Sequence, residues 1–451
     1  MGKLFGTDGI RGVAGQELTC ELAFRVGQAA ALVLSREGAR HRPRFTIGKD
    51  TRKSSDMLEC ALSAGICSVG GDVLLLGVIP TPAVAYFTVE TGADAGIVIS
   101  ASHNSFEHNG IKLFNSKGFK LPDLIEEEIE AVVLTSAFVK SAQPEDLGTV
   151  SRMEDGVSRY VSHVAGTRFA PLEHLRIAVD CANGASSRTA PELFSRLGVE
   201  AEFLARDPDG VNINRDCGST ALSRLCDKVR EGNFHCGVAF DGDADRCLFV
   251  DDLGRPLDGD KIMAICGMFL KQQGRLRGDT IVATVMSNMG FHAYCRANGI
   301  HVVSAPVGDR YVLEEMLKGG YVLGGEQSGH LIFLEHTTTG DGELSAVQFL
   351  SLLAQSGRKL SELLDEIPEY PQVLQNVTVE NRVKREVMEA PPVLEAVRRA
   401  EAAFHGEGRV LVRASGTEPL VRVMIEGRDR SEIEDWADKI AAVITSTART
   451  L

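Results

Sequence analysis

A short apolar run that stops abruptly at alternating aspartates reads Cys236-Gly-Val-Ala-Phe240, followed by Asp241-Gly-Asp243-Ala-Asp245-Arg246. An apolar run of this length that ends in a polar turn is typical of a buried strand. Similar runs, each followed by a turn and a helical pattern, are Phe45-Thr-Ile-Gly-Lys-Asp50, Gly96-Ile-Val-Ile-Ser100, Arg176-Ile-Ala-Val-Asp180 and Thr280-Ile-Val-Ala-Thr-Val285. Buried strands that alternate with helices predict α/β domains with parallel or mixed sheets, whose ligands lie beyond the carboxyl ends of the strands.

The predicted fold class is α/β, with three similar mixed-sheet α/β domains and a smaller C-terminal α+β domain. A chain of 451 residues is too long for a single core, and the strand-turn-helix segments that open at Phe45, Arg176 and Thr280 resemble one another. Polar segments and clusters of Gly and Pro interrupt the pattern between domains. The expected boundaries give domain I as residues 1–155, domain II as 156–257, domain III as 258–370 and domain IV as 371–451.

Two further patterns describe where domains II and IV begin. A helical pattern over 156–164 follows a polar stretch and opens domain II. In domain IV, apolar runs at 409–413 and 421–425 precede a helical pattern at 431–444. Two strands followed by one helix predict a small α+β domain rather than another doubly wound unit.

The composition is that of an ordinary globular protein, with 44% hydrophobic and 24% charged residues. The net charge of −14 argues against nucleic acid and anionic membranes as partners. The first twenty residues lack the apolar core of a signal peptide, and no apolar run reaches the ~18 residues of a membrane-spanning helix. Ten cysteines without a CxxC pair suit free thiols in a reducing compartment. The expected location is the cytoplasm.

The aspartates at 241, 243 and 245 predict a metal site. Two carboxylates repel by about 1 kcal/mol at ~4 Å in water, and by about 4 kcal/mol at an effective dielectric near ~20. A cation would relieve this repulsion, and ligands that are all oxygens favour Mg²⁺ before Ca²⁺ or Mn²⁺. An EF-hand loop is the alternative, but Arg246 occupies the sixth position, where that loop needs glycine. Mg²⁺ usually bridges carboxylates to phosphate, so a phosphate is expected nearby.

Ser102 is the candidate source of that phosphate. It follows a predicted strand within Ser100-Ala-Ser102-His103-Asn104, where an exposed serine is either a nucleophile or simply the cap of a turn. The pairs Asn109-Gly110 and Lys117-Gly118 predict tight turns on either side of a strand at 111–114. A phosphorylated Ser102 would supply the oxygen that the aspartate cluster lacks, so one ion would explain both features.

Five motifs follow one another along the chain: Gly6-Thr-Asp-Gly-Ile-Arg11-Gly, Ser100-Ala-Ser-His-Asn104, Asp241-Gly-Asp-Ala-Asp-Arg246, Gly325-Glu-Gln-Ser-Gly-His330 and Arg413-Ala-Ser-Gly-Thr-Glu-Pro419. Together they resemble the α-D-phosphohexomutase superfamily over residues 5–422. Within it, Gly324-Gly-Glu-Gln-Ser-Gly-His330 and Pro208-Asp-Gly-Val-Asn-Ile-Asn214 are more similar to the phosphoglucosamine mutase branch than to the phosphomannomutase/phosphoglucomutase branch.

The resemblance implies four domains around a central cleft, each of which gives one loop. It makes Ser102 the phosphoserine, and it makes Asp241, Asp243 and Asp245 the Mg²⁺ ligands beside its phosphate. The remaining implied residues bind substrate: Glu326 and Ser328 on sugar hydroxyls, Arg413, Ser415, Gly416, Thr417 and Arg422 on the phosphate that does not react, and His103 and Arg246 as further substrate-binding residues.

Side-chain chemistry adds three catalytic candidates. Phosphoryl transfer requires positioning and neutralisation of charge on the phosphoryl oxygens, for which Arg11 and Lys112 are suitable. His330 is a candidate general acid or base, with Lys112 as the alternative. Both His103 and His330 can equally be structural, hydrogen-bonded histidines. The segment Val307-Gly-Asp309-Arg310 resembles a specificity loop of the superfamily, unless Asp309 and Arg310 pair with each other.

The resemblance implies interconversion of glucosamine 6-phosphate and glucosamine 1-phosphate by an isomerase that feeds the synthesis of cell-wall precursors. Phospho-Ser102, one Mg²⁺ per chain and glucosamine 1,6-bisphosphate, as intermediate and activator, are the expected participants. The chain is expected to be a monomer or a homodimer whose partners are small sugar phosphates. The alternatives are a phosphomannomutase/phosphoglucomutase, a phosphatase and a catalytically silent sensor. Ser105 stands where the superfamily commonly has proline, so a more mobile Ser102 loop is also expected.

Overall fold

The computed structural model describes residues 4–6, 8–34, 42–135, 139–415 and 419–450. The chain separates into two compact units. The N-terminal unit comprises Met1–Met286 and Asn298–Glu366, and the C-terminal unit comprises Ser287–Ala297 and Ile367–Leu451. Each unit is described by itself.

The first sheet of the N-terminal unit is mixed and has helices on its faces. Its elements are β1 (Phe5–Gly6), β2 (Gly9–Val13), α1 (Cys20–Leu34), β3 (Arg44–Lys49), α2 (Ser55–Ser68), β4 (Asp72–Val78), α3 (Thr81–Glu90), β5 (Ala95–Ile99), β6 (His108–Asn115), α4 (Asp123–Leu134) and β7 (Val150–Arg152). The strand order is β1-β2-β6-β5-β3-β4-β7, with β3, β4, β5 and β7 parallel to their neighbours among themselves. The short β7 comes from the polar stretch that the sequence pattern assigned to a connection.

The second sheet is also mixed. Its elements are α5 (Gly156–Ala165), β8 (Arg176–Asp180), α6 (Ser186–Arg196), β9 (Glu200–Leu204), α7 (Ser223–Gly232), β10 (Cys236–Phe240), β11 (Cys247–Val250) and β12 (Pro256–Leu257). The strand order is β12-β11-β10-β8-β9, in which β9, β8 and β10 run parallel. Every residue of β10 is buried, as expected of a strand covered on both faces.

The third sheet has the order β14-β13-β15-β16. Its strands, and the helices that accompany them in sequence, are α8 (Gly259–Gln272), β13 (Thr280–Thr284), α9 (Met289–Ala297), β14 (His301–Ala305), α10 (Asp309–Gly319), β15 (Leu323–Gly325), β16 (Leu331–Phe333), α11 (Gly342–Ser356) and α12 (Leu360–Leu364). Of these elements, α9 belongs to the C-terminal unit.

The C-terminal unit contains an antiparallel sheet with the order β17-β19-β18. Its further elements are β17 (Gln372–Thr378), α13 (Lys384–Glu389), α14 (Pro391–Ala403), β18 (Gly408–Ala414), β19 (Leu420–Gly427) and α15 (Arg430–Ala448). Valines and isoleucines of the sheet pack with the apolar positions of α14 and α15, for example Val423, Ile425 and Ile440. A buried carboxylate, Glu426, accepts hydrogen bonds from Arg409 Nε at 2.7 Å and from the Met289 N–H at 3.1 Å.

The predicted fold class is confirmed: mixed α/β sheets are followed by a smaller antiparallel α+β unit. The predicted strand over 176–180 matches β8, and the predicted helix over 156–164 matches α5. The turn predicted at Asn109-Gly110 is wrong, because both residues lie inside β6 and pair with Gly12 and Arg11 of β2. Glycine is needed there for close approach, since a Cβ atom on Gly110 would lie 2.5 Å from the Ser100 carbonyl oxygen. None of the helices within the described residues is long and apolar enough to cross a lipid bilayer.

Candidate active site

Two loops that follow β5 and β10 bring Ser102 and Asp241 together. The Ser102 hydroxyl donates a hydrogen bond to Asp241 Oδ2 at 2.6 Å, although 139 positions separate the two residues. Ser102 has a φ of +52°, and a left-handed conformation of a residue other than glycine costs on the order of 1–3 kcal/mol. The expectation of an exposed serine is wrong, because only 1% of Ser102 is exposed beneath the loop from β10.

The three predicted metal ligands converge in the structure. One carboxylate oxygen from each of Asp241, Asp243 and Asp245 lies within 4.8 Å of the others, and all three side chains are buried. Among the described residues, Asp243 Oδ1 and Asp245 Oδ1 have no hydrogen-bond partner. Buried carboxylate oxygens without partners are costly unless a cation binds them. This oxygen-only donor set therefore fits a hard divalent ion.

A glycine allows the two loops to approach each other. A Cβ atom on Gly242 would lie 2.5 Å from the Ser102 carbonyl oxygen, 2.8 Å from Asn214 Nδ2 and 2.9 Å from Ile213 Cδ1. The Ser102 carbonyl and the Asn214 amide are hydrogen-bonded to each other and Ile213 is buried, so a side chain at 242 would push the aspartate loop away from Ser102. The alternation of glycine and aspartate thus has a steric reason as well as an electrostatic one.

Lys112 connects the aspartates to the N-terminal motif. Its ammonium lies 2.8 Å from Asp243, 3.0 Å from Asp8 and 3.6 Å from Asp245, and its side chain is buried. Burial opposes the charge, but these three carboxylates raise the pKa of Lys112 well above its usual range. Asp8 also pairs with Arg11 at 2.5 Å. Lys112 is therefore held as a cation beside the candidate metal site.

His330 lies in the same charge network, with partners at both ring nitrogens. Its Nε2 accepts the Gly340 N–H at 3.0 Å, and its Nδ1 lies 3.6 Å from Asp245. Asp309 lies 3.3 Å from Nε2 and also pairs with Lys120 at 2.6 Å. Burial opposes protonation of the ring, but the two carboxylates raise the pKa of His330.

In the segment at 307–310, the two charged side chains bond to residues elsewhere in the chain. The Arg310 guanidinium bonds to Asp123 and donates to the Leu121 carbonyl at 2.7 Å, whereas Asp309 pairs with Lys120. The alternative in which the charged side chains of Asp309 and Arg310 pair with each other is therefore wrong; the bond between these residues runs from the Arg310 main-chain N–H to Asp309 Oδ1 at 2.9 Å.

The sugar-binding candidates border this network. Gly308 donates its N–H to Glu326 Oε1 at 3.1 Å, and burial raises the pKa of the Glu326 carboxyl group. Ser328 is exposed. His103 Nδ1 lies 3.3 Å from Ser102 Oγ, and burial together with the charges of Arg246 and Arg11 lowers the pKa of His103 to about 4.

Arg246 remains close to the aspartates. Its Nε lies 3.9 Å from Asp245 Oδ1, and its backbone N–H donates to Asp241 Oδ1 at 3.3 Å. Burial opposes its charge, but Asp241 and Asp245 raise the pKa of the Arg246 guanidinium. Its side chain is 21% exposed, so part of this cation is accessible to a ligand.

The candidate phosphate-binding residues lie in the C-terminal unit. Arg413 of β18 and Arg422 of β19 are directly opposite each other, a position in which like charges repel unless an anion lies between them. Burial and the charge of Arg422 lower the pKa of Arg413. The Ser415 N–H donates to the Leu420 carbonyl at 2.9 Å. The other two candidates, Gly416 and Thr417, lie outside the described residues.

A buried N-cap beside His330 provides a pH-dependent test of the site's framework. Asp341 Oδ1 accepts the Leu344 N–H at 2.9 Å at the start of α11, and the Tyr160 hydroxyl donates to the same carboxylate at 2.9 Å. Burial raises the pKa of Asp341 to about 6, from an ordinary 3.8. The folded state therefore holds this proton more tightly, so the stabilisation is complete below pH ~4 and is lost as the pH rises to ~6.

Asp341→Asn retains an oxygen acceptor and removes the titration. The free energy of unfolding of the wild type, relative to that of the variant, is expected to fall by up to about 3 kcal/mol between pH ~4 and pH ~6. Denaturant unfolding of both proteins across this range measures the difference. A constant difference would contradict the assignment of this proton to Asp341.

Sequence reasoning missed several residues that support Ser102. Asp50 and Arg52 follow β3 and form a buried ion pair. The Arg52 guanidinium and the Asn214 side-chain amide both donate hydrogen bonds to the Ser102 carbonyl. Thr81 donates its hydroxyl to Asp243 Oδ2 at 2.6 Å. The polar run after the predicted strand at 45–50 was the available signal, because ligand-side residues follow strand ends.

Comparison with known proteins identifies the family to which this site belongs. Sequence models described as phosphoglucomutase/phosphomannomutase match four consecutive ranges: α/β/α domain I at 2–140, domain II at 158–254, domain III at 258–370 and the C-terminal domain at 374–443. The chain belongs to the phosphoglucomutase/phosphomannomutase family. The resemblance deduced from the five motifs is thereby confirmed.

Curated relatives in this family match nearly the whole chain. The phosphoglucosamine mutase of Acetivibrio thermocellus is 53% identical over 445 residues, covering 98% of this chain and 99% of the relative. That of Caldicellulosiruptor saccharolyticus is 53% identical over 449 residues, covering 99% of each.

Solved structures agree on the phosphoglucomutase/phosphomannomutase fold. A family protein from Burkholderia thailandensis has a TM-score of 0.80 at 24% identity, covering 98% of this chain and 97% of that chain. The Aspergillus fumigatus N-acetylphosphoglucosamine mutase in complex with GlcNAc-6P and magnesium has a TM-score of 0.68 at 18% identity, covering 99% and 96%. At these identities the likeness establishes the fold.

Proposed function

We propose that this chain is a phosphoglucosamine mutase that interconverts glucosamine 6-phosphate and glucosamine 1-phosphate. The observation that carries the proposal is the buried Ser102 hydroxyl, 2.6 Å from an oxygen of a three-aspartate cluster. The full-length phosphoglucosamine mutases that are 53% identical to the chain support the substrate. Amino-sugar nucleotide synthesis is the process that the product would feed.

Phospho-Ser102 is the proposed phosphoryl donor. In the first half-reaction its Oγ–P bond breaks and a P–O bond forms to the free sugar hydroxyl, which loses a proton while the Ser102 oxygen gains one. The resulting glucosamine 1,6-bisphosphate turns around and returns its other phosphoryl group to Ser102. Transfer is mainly a matter of position and charge neutralisation, which suits a site built of fixed ions.

Asp241, Asp243 and Asp245, with an oxygen of phospho-Ser102, are the proposed ligands of one Mg²⁺ per chain. When bound, this ion supplies positive charge that neutralises the phosphoryl oxygens and polarises the phosphorus. Lys112 and Arg11 contribute further positive charge, because Asp243 and Asp8 hold these cations at the same place. The structure of the Aspergillus fumigatus enzyme with magnesium supports the choice of ion for the fold.

Proton transfer is assigned to His103 within this proposal. Its Nδ1 lies 3.3 Å from Ser102 Oγ, the atom that gains a proton when the Oγ–P bond breaks and loses it when the serine is phosphorylated again. Lys112 is held protonated and serves as a cation. His330 has partners at both nitrogens, so its proposed role is to orient Asp245 rather than to move a proton.

The substrate contacts divide between hydroxyls and phosphate. Glu326 and Ser328 are proposed to bind sugar hydroxyls, and Arg246 to contact the reacting end. Arg413, Ser415, Gly416, Thr417 and Arg422 are proposed to bind whichever phosphate is not reacting. Gln327 donates to Asp258 Oδ2 at 3.1 Å, so this residue supports its own loop.

A direct comparison of substrates tests the proposal. Steady-state kcat/KM is measured with the 1-phosphates of glucosamine, glucose and mannose, and inorganic phosphate is assayed in parallel. Glucosamine is expected to be preferred, with isomer formed and no stoichiometric release of phosphate. Preference for glucose or mannose would assign the chain to the phosphomannomutase/phosphoglucomutase branch, and accumulation of phosphate would make it a phosphatase. A cytoplasmic location and a monomeric or dimeric state stay predictions.

A further inference from the structure

Beneath the Ser102 loop lies an arginine whose hydrogen bonds are all directed at that loop and at its own counter-ion. Arg52 Nε donates to Asp50 Oδ2 at 2.8 Å. Its two terminal nitrogens donate to main-chain carbonyls: Ser102 at 2.9 Å, Asn104 at 2.9 Å, Ser105, and His108 at 3.0 Å. The side chains of Arg52 and Asp50 are both 0% exposed.

These bonds use every N–H donor of the Arg52 guanidinium group. Arginine has five N–H donors, and the five acceptors found within the described residues use each of them once. Arg52 therefore has no donor left for a sugar phosphate. Its effect on the reaction can only pass through the loop that it holds.

Asp50 completes the support from the other side. Its Oδ2 accepts the Ser100 hydroxyl at 2.6 Å, and the Ser100 oxygen in turn accepts the Ser102 N–H at 2.9 Å. Its Oδ1 accepts the Ser55 hydroxyl at 3.0 Å and the Arg52 N–H at 2.9 Å. Arg52 thus binds the Ser102 carbonyl directly, and Asp50 positions the Ser102 N–H through the Ser100 hydroxyl.

A second residue, from domain II, reaches the same carbonyls. Asn214 Nδ2 donates to the Ser102 carbonyl at 2.9 Å and to the Asn104 carbonyl at 3.0 Å. The same amide nitrogen is the group that a Cβ atom on Gly242 would approach to 2.8 Å. Asn214 therefore lies between the Ser102 loop and the aspartate loop, and links their positions.

We infer that Arg52, with Asp50 and Asn214, positions Ser102 for phosphoryl transfer; this inference rests on the proposed function. The loop contains no proline between Ser100 and His108, and Ser102 has a φ of +52°, so its own sequence does not restrain it. The guanidinium group of Arg52 restrains the loop instead, through its hydrogen bonds to four main-chain carbonyls. A displacement of ~1 Å at a reacting atom can reduce the rate about 100-fold.

Two variants test this role. Arg52→Lys keeps the charge beside Asp50 but replaces the planar fork by a point donor, which cannot hold four carbonyls at once. Asn214→Gly deletes the amide and tolerates the φ of +58° at this position. Arg255→Lys is the matched control, because Arg255 also pairs with an aspartate, Asp251, and donates to one carbonyl, that of Ser361.

The measurement uses full-length phosphorylated enzyme. Three quantities are recorded: kcat per phosphoserine, KM, and the ratio of phosphoserine hydrolysis to phosphoryl transfer to glucosamine 1-phosphate. For Arg52→Lys, kcat per phosphoserine is expected to fall about 100-fold with KM far less affected, and the hydrolysis-to-transfer ratio is expected to rise. Asn214→Gly should change the same quantities in the same direction by a smaller factor.

A merely structural role would give a different result. It would lower the melting temperature and the folded fraction but leave kcat per phosphoserine and the hydrolysis-to-transfer ratio at wild-type values, as expected for Arg255→Lys. That result in Asn214→Gly and in folded Arg52→Lys would overturn the inference, and Asn214→Gly alone decides if Arg52→Lys does not fold. A wild-type enzyme that forms no isomer would instead refute the proposed function.

Discussion

Replacement of Ser102 by alanine is expected to abolish interconversion of the glucosamine phosphates while leaving their binding measurable. The variant removes the oxygen that carries the phosphoryl group, and loss of a nucleophile typically reduces kcat by roughly four orders of magnitude or more. Among the described residues the hydroxyl contacts Asp241 Oδ2 and His103 Nδ1. Its removal takes one donor from Asp241, a proposed Mg²⁺ ligand, but leaves the hydrogen bonds of Arg52 and Asn214 to the Ser102 carbonyl in place, so the fold should be preserved. Isomer formation is measured by a coupled assay, and binding by calorimetry.

The matched control is Ser116→Ala, an exposed serine in the turn after β6 of the same domain. It should retain wild-type turnover. Intact-mass spectra should detect one phosphate on a fraction of the wild type and of the control, and none on Ser102→Ala. Normal turnover by Ser102→Ala would remove this residue from the mechanism and, with it, the proposed covalent intermediate.

The second large effect is expected from Asp243→Asn. Asp243 Oδ2 already accepts bonds from Thr81 and Lys112, whereas Oδ1 is left without a partner among the described residues. The substitution removes one negative charge from the cluster that is proposed to hold Mg²⁺. A metal ion contributes several kcal/mol to transition-state stabilisation, so a rate loss of about 100- to 1000-fold is expected.

Magnesium binding provides a readout separate from turnover. Addition of Mg²⁺ to chelator-treated wild type should raise its melting temperature, because a ligand that binds only the folded state stabilises it. The same addition should have little effect on Asp243→Asn. Asp252→Asn is the control: Asp252 accepts the Ser361 N–H at 2.9 Å, away from the cluster, and its loss should not alter the response to Mg²⁺. Wild-type magnesium affinity in Asp243→Asn would refute the metal assignment.

The parts of the fold that the sequence predicted well are those in which burial leaves little choice of residue. β10 is buried at every position, and in β8 the apolar residues 177–179 are buried, so the apolar run marks the body of each strand. Asn109-Gly110 has the composition of a hairpin turn, but pairing with β2 extends β6 through it. Local turn chemistry could not reveal that partner, because it comes from residues 9–13.

The candidate site also contains residues that the sequence predicts and residues that it does not. The aspartate cluster is visible in sequence because its members are neighbours and their repulsion requires a cation. Asp8 and Asn214 lie within quoted motifs, but their roles and that of Arg52 were not anticipated, since each acts through residues between 50 and 112 positions away. A buried ion pair such as Asp50–Arg52 looks in sequence like any polar turn. Only the structure reveals that its donors end on the loop that carries Ser102.

The grouping of α9 with the C-terminal sheet limits how domains could be exchanged between related enzymes. By sequence, this helix lies in the middle of domain III, yet Glu426 accepts bonds from the Met289 N–H and the Asn288 amide, and Asn288 also donates to the Tyr370 carbonyl. A chimera cut at position 371 would pair one parent's helix with the other parent's carboxylate. Each mismatched buried polar group costs about 1–3 kcal/mol. Recombination should therefore succeed only when residues 287–297 and 367–451 come from the same parent.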